Sequence, residues 1–399
     1  MRVGIFLGEL APTAGGAHTY QQTLLDNLRH HDTGHEFLCF HYGAAPAAAA
    51  SGMRHVRLEP RGGTNSRLGG LARAMGRRQR LPSSRKRRAL QAAARAERIE
   101  LMWFPTQDWE PVDVPFIYTV WDLQHRLQPC FPEVSVTGLD FDRREEAFRH
   151  ILPRATWVVV PNEALRDEVQ LFYGLPAGRI AMLPQPTPDF ALAAAATATP
   201  APRSLAGDPL FYPAQFWPHK NHVVLLHALR LLRDRDGLRP RLILTGADKG
   251  NLAHVRATGE RLGVWEQVEH RGFVPQAELA SLYQQAFALV FPSFFGPENL
   301  PPLEAFALGC PVVAARVSGA EHQLGDAALL FDPRSEEELR RALLRLEREP
   351  DLRAALTARG AARAQAWTGR EFSTALLRLI DEFAGVRRCW SSDTPYVHS

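Results

Sequence analysis

The sequence predicts an α/β fold built from two similar halves, each a parallel sheet with crossover helices. Three observations carry that expectation. Short apolar or β-branched runs alternate with helix-length amphipathic segments from one end of the chain to the other. Each run is brief and stops in loop residues. A proline-broken stretch near the middle interrupts the alternation, which then starts again. A length of 399 residues agrees with two domains, each large enough for its own core.

In the first half, Val3 to Leu7 reads as a strand, and Tyr20, Leu24, Leu25 and Leu28 share one face of the helix behind it, with Gly15-Gly16 in the loop between. Further strands are expected at Phe37 to Tyr42, Leu101 to Phe104, Phe116 to Val120, Trp157 to Val160 and Arg179 to Leu183, with a helix after Asn162. From Pro184 to Pro202 prolines and alanines dominate, and no regular element is expected there. The second half gives strands at Leu210 to Tyr212, Arg241 to Thr245, near Val268, Phe287 to Phe291, Pro311 to Ala315 and Ala328 to Phe331. Helices are expected at Asn221 to Arg233 and Leu252 to Leu262, and three more between Ser335 and Phe383. Residues 1–190 form the first domain, 191–206 the linker, 207–370 the second domain, 371–390 a closing helix and 391–399 a tail. Ligands are expected in the cleft, at the carboxyl ends of strands.

Composition sets the class. With 45% hydrophobic and 23% charged residues the chain is neither a disordered tail nor a disulfide-stapled scaffold. Cys39, Cys130, Cys310 and Cys389 stand far apart without a CxxC pair, which signals neither a disulfide framework nor structural zinc. Met1 to Leu10 lacks the pattern of a signal peptide, and no apolar run is long enough for a membrane span, so a cytoplasmic location is expected. One segment departs from the rest: Arg77 to Arg88 (RRQRLPSSRKRR) carries seven positive charges and no acid. It reads either as a solvated helical face or as a patch for anionic lipid headgroups, whereas nucleic acid is disfavoured because no aromatic is interleaved for stacking.

Three stretches are candidates for chemistry. In FPSFFGPENLPPLEAFALGCPVV (Phe291 to Val313), a strand runs through a glycine loop into a helix opened by Pro301-Pro302. The amides of Asn299 and Leu300 with the helix dipole would hold a phosphate, and Glu304 one turn in would accept hydrogen bonds from sugar hydroxyls. The plainer alternative is a first-turn glutamate that steadies the helix start. In FYPAQFWPHKNH (Phe211 to His222), Lys220 at a helix start is a partner for a pyrophosphate. The HxxH spacing of His219 and His222 lacks a carboxylate motif, and no metal site is expected. In YTVWDLQHR (Tyr118 to Arg126), Asp122 and His125 sit where a strand opens into the cleft, either to meet the attacking group or to serve as a turn cap and a core histidine. His18, after Gly15-Gly16, has the same double reading.

Together, in this order, these stretches resemble the retaining nucleotide-sugar glycosyltransferases of family four, which have the two-domain GT-B fold. The resemblance runs from Gly15-Gly16 through HKNH at His219 to His222, LPPLEAFALGCPVV at Leu300 to Val313, and the closing section from Val317 to Leu339. It implies an acceptor-binding first domain, a second domain that binds the nucleotide sugar, and a last helix that crosses back. It assigns Lys220 to the pyrophosphate, Glu304 to the donor ribose, and the turn at Asn299 and Leu300, beside Glu298, to the distal phosphate. Gly272, Phe273 and Val274 would line the base, Gly246 would lie near the nucleotide, and Gly15, Gly16 and His18 would form the acceptor and phosphate loop. Three departures stand out: Gly296 occupies the place of the first glutamate of the family's pair, Trp121 that of a histidine before Asp122, and Gln215 that of an arginine ahead of Lys220. The implied activity is transfer of a hexose-type sugar from a UDP- or GDP-sugar, with no cofactor and no metal, to a glycan or lipid-linked acceptor in bacterial surface polysaccharide synthesis. A sugar-nucleotide 2-epimerase and a non-catalytic nucleotide-sugar or glycan-binding protein are the alternatives.

Overall fold

The structure, a computed structural model, describes residues 1–8, 15–43, 53–59, 86–135, 141–195 and 203–390. The first sheet holds β1 (Arg2–Gly8), β2 (Glu36–Tyr42), β3 (Arg54–Leu58), β4 (Leu101–Phe104), β5 (Phe116–Thr119), β6 (Trp157–Val160) and β7 (Ile180–Met182), in the order β3-β2-β1-β4-β5-β6-β7. The second holds β8 (Leu210–Pro213), β9 (Leu242–Thr245), β10 (Val268–His270), β11 (Ala288–Phe291), β12 (Val312–Ala315) and β13 (Ala328–Phe331), in the order β10-β9-β8-β11-β12-β13. All neighbours pair in parallel, with Ile5 opposite Trp103 in the first sheet and Leu289 opposite both Phe211 and Val312 in the second. Strands such as β4 and β11 are buried along their whole length, because crossover helices cover both faces of a parallel sheet. Strand order reverses beside β1 and beside β8, so the crevices for ligands open at the carboxyl ends of these strands.

Local chemistry fixes the element ends. Asn162 caps the helix Glu163–Tyr173 by accepting the Leu165 N–H, and Gly174 ends it in a left-handed conformation. Thr368 and Glu371 form a capping box at the start of Gly369–Arg387. That last helix returns to the first domain, where Phe372 packs edge-on to Tyr20 and is stacked with Trp103, and Phe383 meets Trp157. One face of the first sheet, this helix and the second domain consequently share a continuous apolar core, while the opposite face of the first sheet has a core of its own around Phe40, Phe104 and Tyr118.

Two expectations need correction. The interval from Pro184 to Pro202 is not free of regular structure, since a helix spans Asp189–Ala195. Its seven residues contain no proline, and Pro188 stands just ahead of it, where a missing N–H costs nothing. Strand β3 was not expected, because RHVRL is a partly exposed edge with only two strong apolar residues, Val56 and Leu58. The basic run from Arg77 to Arg88 lies outside the described residues, except for the backbone of its last three, which opens the helix Lys86–Ala96. Residues 196–202 and 391–399 lie outside them as well.

Candidate active site

On the second-domain side, β8 runs into a 3-10 turn over Pro218–Lys220 that ends at Asn221 in the left-handed conformation (φ 56°). An asparagine tolerates that backbone. Its side chain also ties the turn down, with Nδ2 donating to the carbonyls of Pro292 (3.1 Å) and Pro333 (2.7 Å). Lys220 is thereby set over the Phe291 ring, 5.5 Å from its centroid, and its ammonium makes no ion pair among the described residues. Burial lowers its pKa to about 8, against the pull of the Asp122 and Glu133 carboxylates. Gln215 is engaged by the Trp217 indole N–H at 3.0 Å. Gly246 (φ 126°) lies so close to the Ala214 carbonyl that a Cβ would collide with it, which brings the loops after β8 and β9 together. Gly246 N–H donates to the Gly272 carbonyl at 2.7 Å; next to it Phe273 is exposed and Val274 is buried.

The loop after β11 delivers the other half. Gly296 has φ 138°, and a Cβ there would fall on the Asn299 side chain, so a glutamate at this position would be strained and would displace Asn299. Glu298 is buried; its Oε2 accepts the Gln185 N–H at 2.6 Å, and burial raises its pKa to about 8. Glu304, in the helix Leu300–Ala307, is also buried, accepts the Tyr283 hydroxyl at 2.7 Å and is raised by burial to about 7. The expectation for the Asn299 amide is corrected. Gln323 brackets that peptide, its Oε1 accepting the Asn299 N–H (3.1 Å) and its Nε2 donating to the Asn299 carbonyl (2.8 Å). Pro301 and Pro302 carry no N–H, so Leu300 keeps the first-turn donor that remains for a phosphate.

The first domain faces this helix with Gly15 and Gly16. Gly15 (φ 69°) precedes the helix Gly16–Leu28, and a Cβ on Gly16 would lie 3.6 Å from the Leu300 side chain. His18 is half-buried in the first turn, and burial lowers its pKa. Asp122 caps the Gln124 N–H (3.0 Å) and pairs with Arg144 (2.7 Å). Burial alone would raise its pKa, but these partners outweigh burial and hold the carboxyl below its usual range. Trp121 packs edge-on to Tyr20. His125 is a second correction. It is fully buried between Phe141 and Phe148, with Nε2 3.2 Å from the Tyr173 hydroxyl and 3.4 Å from Glu145, and burial lowers its pKa to about 4. It is a core histidine of the first domain, the alternative left open in the sequence.

The fold thus gathers Lys220, Glu298, Leu300 and Glu304 on one side of the cleft and Gly16 on the other, with Asp122 near enough to act on Lys220. Polar ties cross between the domains: Gln128 to the Phe294 carbonyl (2.8 Å), Asn162 to the Pro297 carbonyl (2.9 Å), Gln185 to Glu298, and Glu133 to His219. Tyr283, Gln323, Asn221 and Glu133 were not singled out for the roles they hold. Only Asn221 carries a local signal, the tolerance of asparagine for positive φ.

Residues 207–363 match the family model described as Glycosyl transferases group 1. The second domain is a group 1 glycosyltransferase domain. The O-antigen chain mannosyltransferase B of Escherichia coli is 34% identical to this chain over 160 residues, which is 39% of this chain and 41% of that protein. A D-inositol 3-phosphate glycosyltransferase of Streptosporangium roseum is 33% identical over 171 residues, 41% of this chain and 39% of that protein. The chain therefore spans about two fifths of the length of the curated relatives it matches. Over the whole fold, the sucrose-phosphate synthase of Thermosynechococcus elongatus superposes with a TM-score of 0.72 at 18% identity, covering 97% of this chain and 100% of that one. WaaG, a glycosyltransferase involved in lipopolysaccharide biosynthesis, does so at 0.64 and 18%, covering 95% and 99%. The fold around the group 1 domain is GT-B.

Proposed function

We propose that the protein is a retaining glycosyltransferase. In this reading it moves a hexose-type sugar from a UDP- or GDP-sugar to a glycan or lipid-linked acceptor in bacterial surface polysaccharide synthesis. The observation that carries it is the placement of Lys220, whose ammonium makes no ion pair among the described residues, after β8, and of the Leu300 amide and the buried Glu304 carboxyl after the neighbouring strand β11. Lys220 and the helix start receive the diphosphate, and Glu304 accepts from ribose hydroxyls. Phe273, exposed beside Gly272, offers the base an aromatic face. The relatives support the direction of the reading: the E. coli protein is named a mannosyltransferase of the O-antigen chain, and Anabaena HepE, with a TM-score of 0.68 at 16% identity over 96% of this chain and 100% of that one, was solved with UDP-glucose.

No carboxylate stands at Gly296 to act as a nucleophile, and a front-face reaction needs none. The bond from the anomeric carbon to the diphosphate breaks, the acceptor oxygen bonds to that carbon from the same face, and the acceptor proton passes to the departing diphosphate. Lys220 and Leu300 N–H stabilise the charge that develops there. Closing the domains excludes water that would otherwise hydrolyse the donor. The basic run from Arg77 to Arg88 would hold the protein at an anionic membrane surface beside a lipid-linked acceptor, each exposed cation contributing about 1 kcal/mol.

A melting-temperature screen against UDP, GDP, ADP, TDP and CDP, followed by transfer assays with the matching nucleotide sugars, tests the proposal. One nucleoside diphosphate should stabilise the protein, and the matching sugar should be transferred with its anomeric configuration kept. Conversion of the donor sugar alone to its epimer would favour an epimerase, and tight binding without turnover over a broad acceptor panel would favour a binding protein.

A further inference from the structure

Glu133 lies in the short helix Pro132–Ser135 of the first domain, yet its partners belong to the second. It is 1% exposed. Its Oε1 accepts the His219 peptide N–H at 3.1 Å and is also bonded by the His219 ring Nδ1. The segment around it is seated from both sides. Phe131 packs against His219 and Phe294 (ring centroids 6.2 and 5.7 Å), and Gln128 donates to the Phe294 carbonyl. Glu133 thus stands between the turn that presents Lys220 and the loop that follows β11, the two segments that build the donor site.

Its other oxygen, Oε2, is buried and accepts no hydrogen bond from any other described residue. A carboxylate oxygen withdrawn from water without a donor is costly, and beside a ligand site a donor brought by the ligand would offset that cost. A hydroxyl of a sugar whose diphosphate rests on the neighbouring Lys220 is a donor of the kind this oxygen lacks, and an O–H to carboxylate hydrogen bond is short, strong and directional. Gly296 meanwhile offers no acid from the second domain, and at its φ of 138° a side chain would be strained and would displace that of Asn299. We propose that Glu133 supplies the carboxylate that receives a hydroxyl of the transferred sugar, offered from the first domain across the closed cleft. This rests on the reading of the protein as a nucleotide-sugar enzyme.

The test measures affinities of wild type and of Glu133→Gln by calorimetry. Its probes are the nucleoside diphosphate that stabilises wild type, the matching nucleotide sugar, and donors with single hydroxyls of the sugar replaced by hydrogen. A site built to bond a hydroxyl strongly disfavours the analogue that lacks it. Wild type should therefore discriminate against one deoxy donor by about 30-fold or more, and Glu133→Gln should reduce that ratio to under about 5-fold, with the nucleotide sugar losing more affinity than the diphosphate, whose binding changes only through the charge removed beside Lys220. Glu133→Asp, which keeps the charge but draws it back, should show the same split, and equal melting temperatures establish that both variants fold. An equal loss of affinity for diphosphate and nucleotide sugar would overturn the proposal, since Glu133 would then act only through the Lys220 turn. Unchanged discrimination in both variants would overturn it too. If wild type binds a nucleotide sugar but never transfers it, the transfer reading fails while the affinities still decide Glu133. If it binds none, both fall together.

Discussion

Burial works against the charged forms of Lys220 and Glu304, and each needs its charge for the role assigned to it. Lys220 is charged below about pH 8, and Glu304 is ionised above about pH 7. The free enzyme is competent only between these values, so kcat/KM should rise through pH 7 and fall beyond pH 8. A bound diphosphate adds negative charge beside Lys220 and raises its pKa, so the basic limb of kcat should lie higher than that of kcat/KM. Glu304→Gln should lose the acid limb and keep the basic one. A flat profile from pH 6 to 9 would contradict both assignments. Lys220→Ala, which removes the cation at the developing diphosphate charge, should lower kcat by about 10²- to 10³-fold in steady-state transfer assays. Restoring the family's acid by Gly296→Glu should reduce activity further, because that backbone conformation is strained for any side chain and the Asn299 amide already fills the space.

At the scale of elements, the helix Leu300–Ala307 shows which parts of the site were legible. Its start could be read from Pro301-Pro302, and its buried face from the apolar run around Glu304, because both signals are local. The strands were legible for the same reason, since β4, β6 and β13 are uninterrupted apolar runs between loop residues. What the sequence did not reveal depends on contacts between distant positions. Gln323 reaches Asn299 from 24 residues away, Tyr283 reaches Glu304 from 21, and Gln185 reaches Glu298 from 113, while neither partner carries a mark of the pairing. His125 shows the same limit: the spacing after Asp122 is right for the cleft, and only the rings of Phe141 and Phe148 decide that it is core. Glu298 also gives a stability prediction. Its pKa when folded is above the ordinary carboxyl value, so the protonated group favours the fold at low pH, and that contribution is lost as pH rises toward about 8. Glu298→Gln keeps an acceptor for Gln185 N–H and does not titrate. The melting temperature of the variant should therefore gain on wild type between pH 5 and pH 8, by roughly 2–4 °C for each kcal/mol involved. A gap that stays constant over that range would show that the Glu298 carboxyl is not buried as described.

For the molecule as a whole, the domains are joined where the chain crosses between them twice. The crossings run side by side: Thr187 N–H donates to the Trp367 carbonyl (3.1 Å) and the Trp367 indole to the Pro184 carbonyl (2.8 Å). Two adjacent stretches of backbone thus pair at the joint between the domains. The helix Gly369–Arg387 begins just past that joint and is built into the first domain, against the helix that carries Gly16 and Tyr20. Phe372 is its anchor, 1% exposed between Tyr20 and Trp103. Phe372→Ala should cost about 3–5 kcal/mol, the usual penalty for emptying a buried aromatic site. The loss should not spread evenly. The cavity opens on the face of the first sheet formed by β1 and β4, so amide hydrogen exchange should speed up there and in the Gly16–Leu28 helix, while β8, β11 and β12 keep their protection. Because Tyr20 also supports Trp121 next to Asp122, transfer should weaken in the variant although nucleoside diphosphate affinity holds, since the diphosphate rests on Lys220 and Leu300 in the other domain. Equal loss of protection in both sheets would instead mean that the shared core makes the two domains a single cooperative unit.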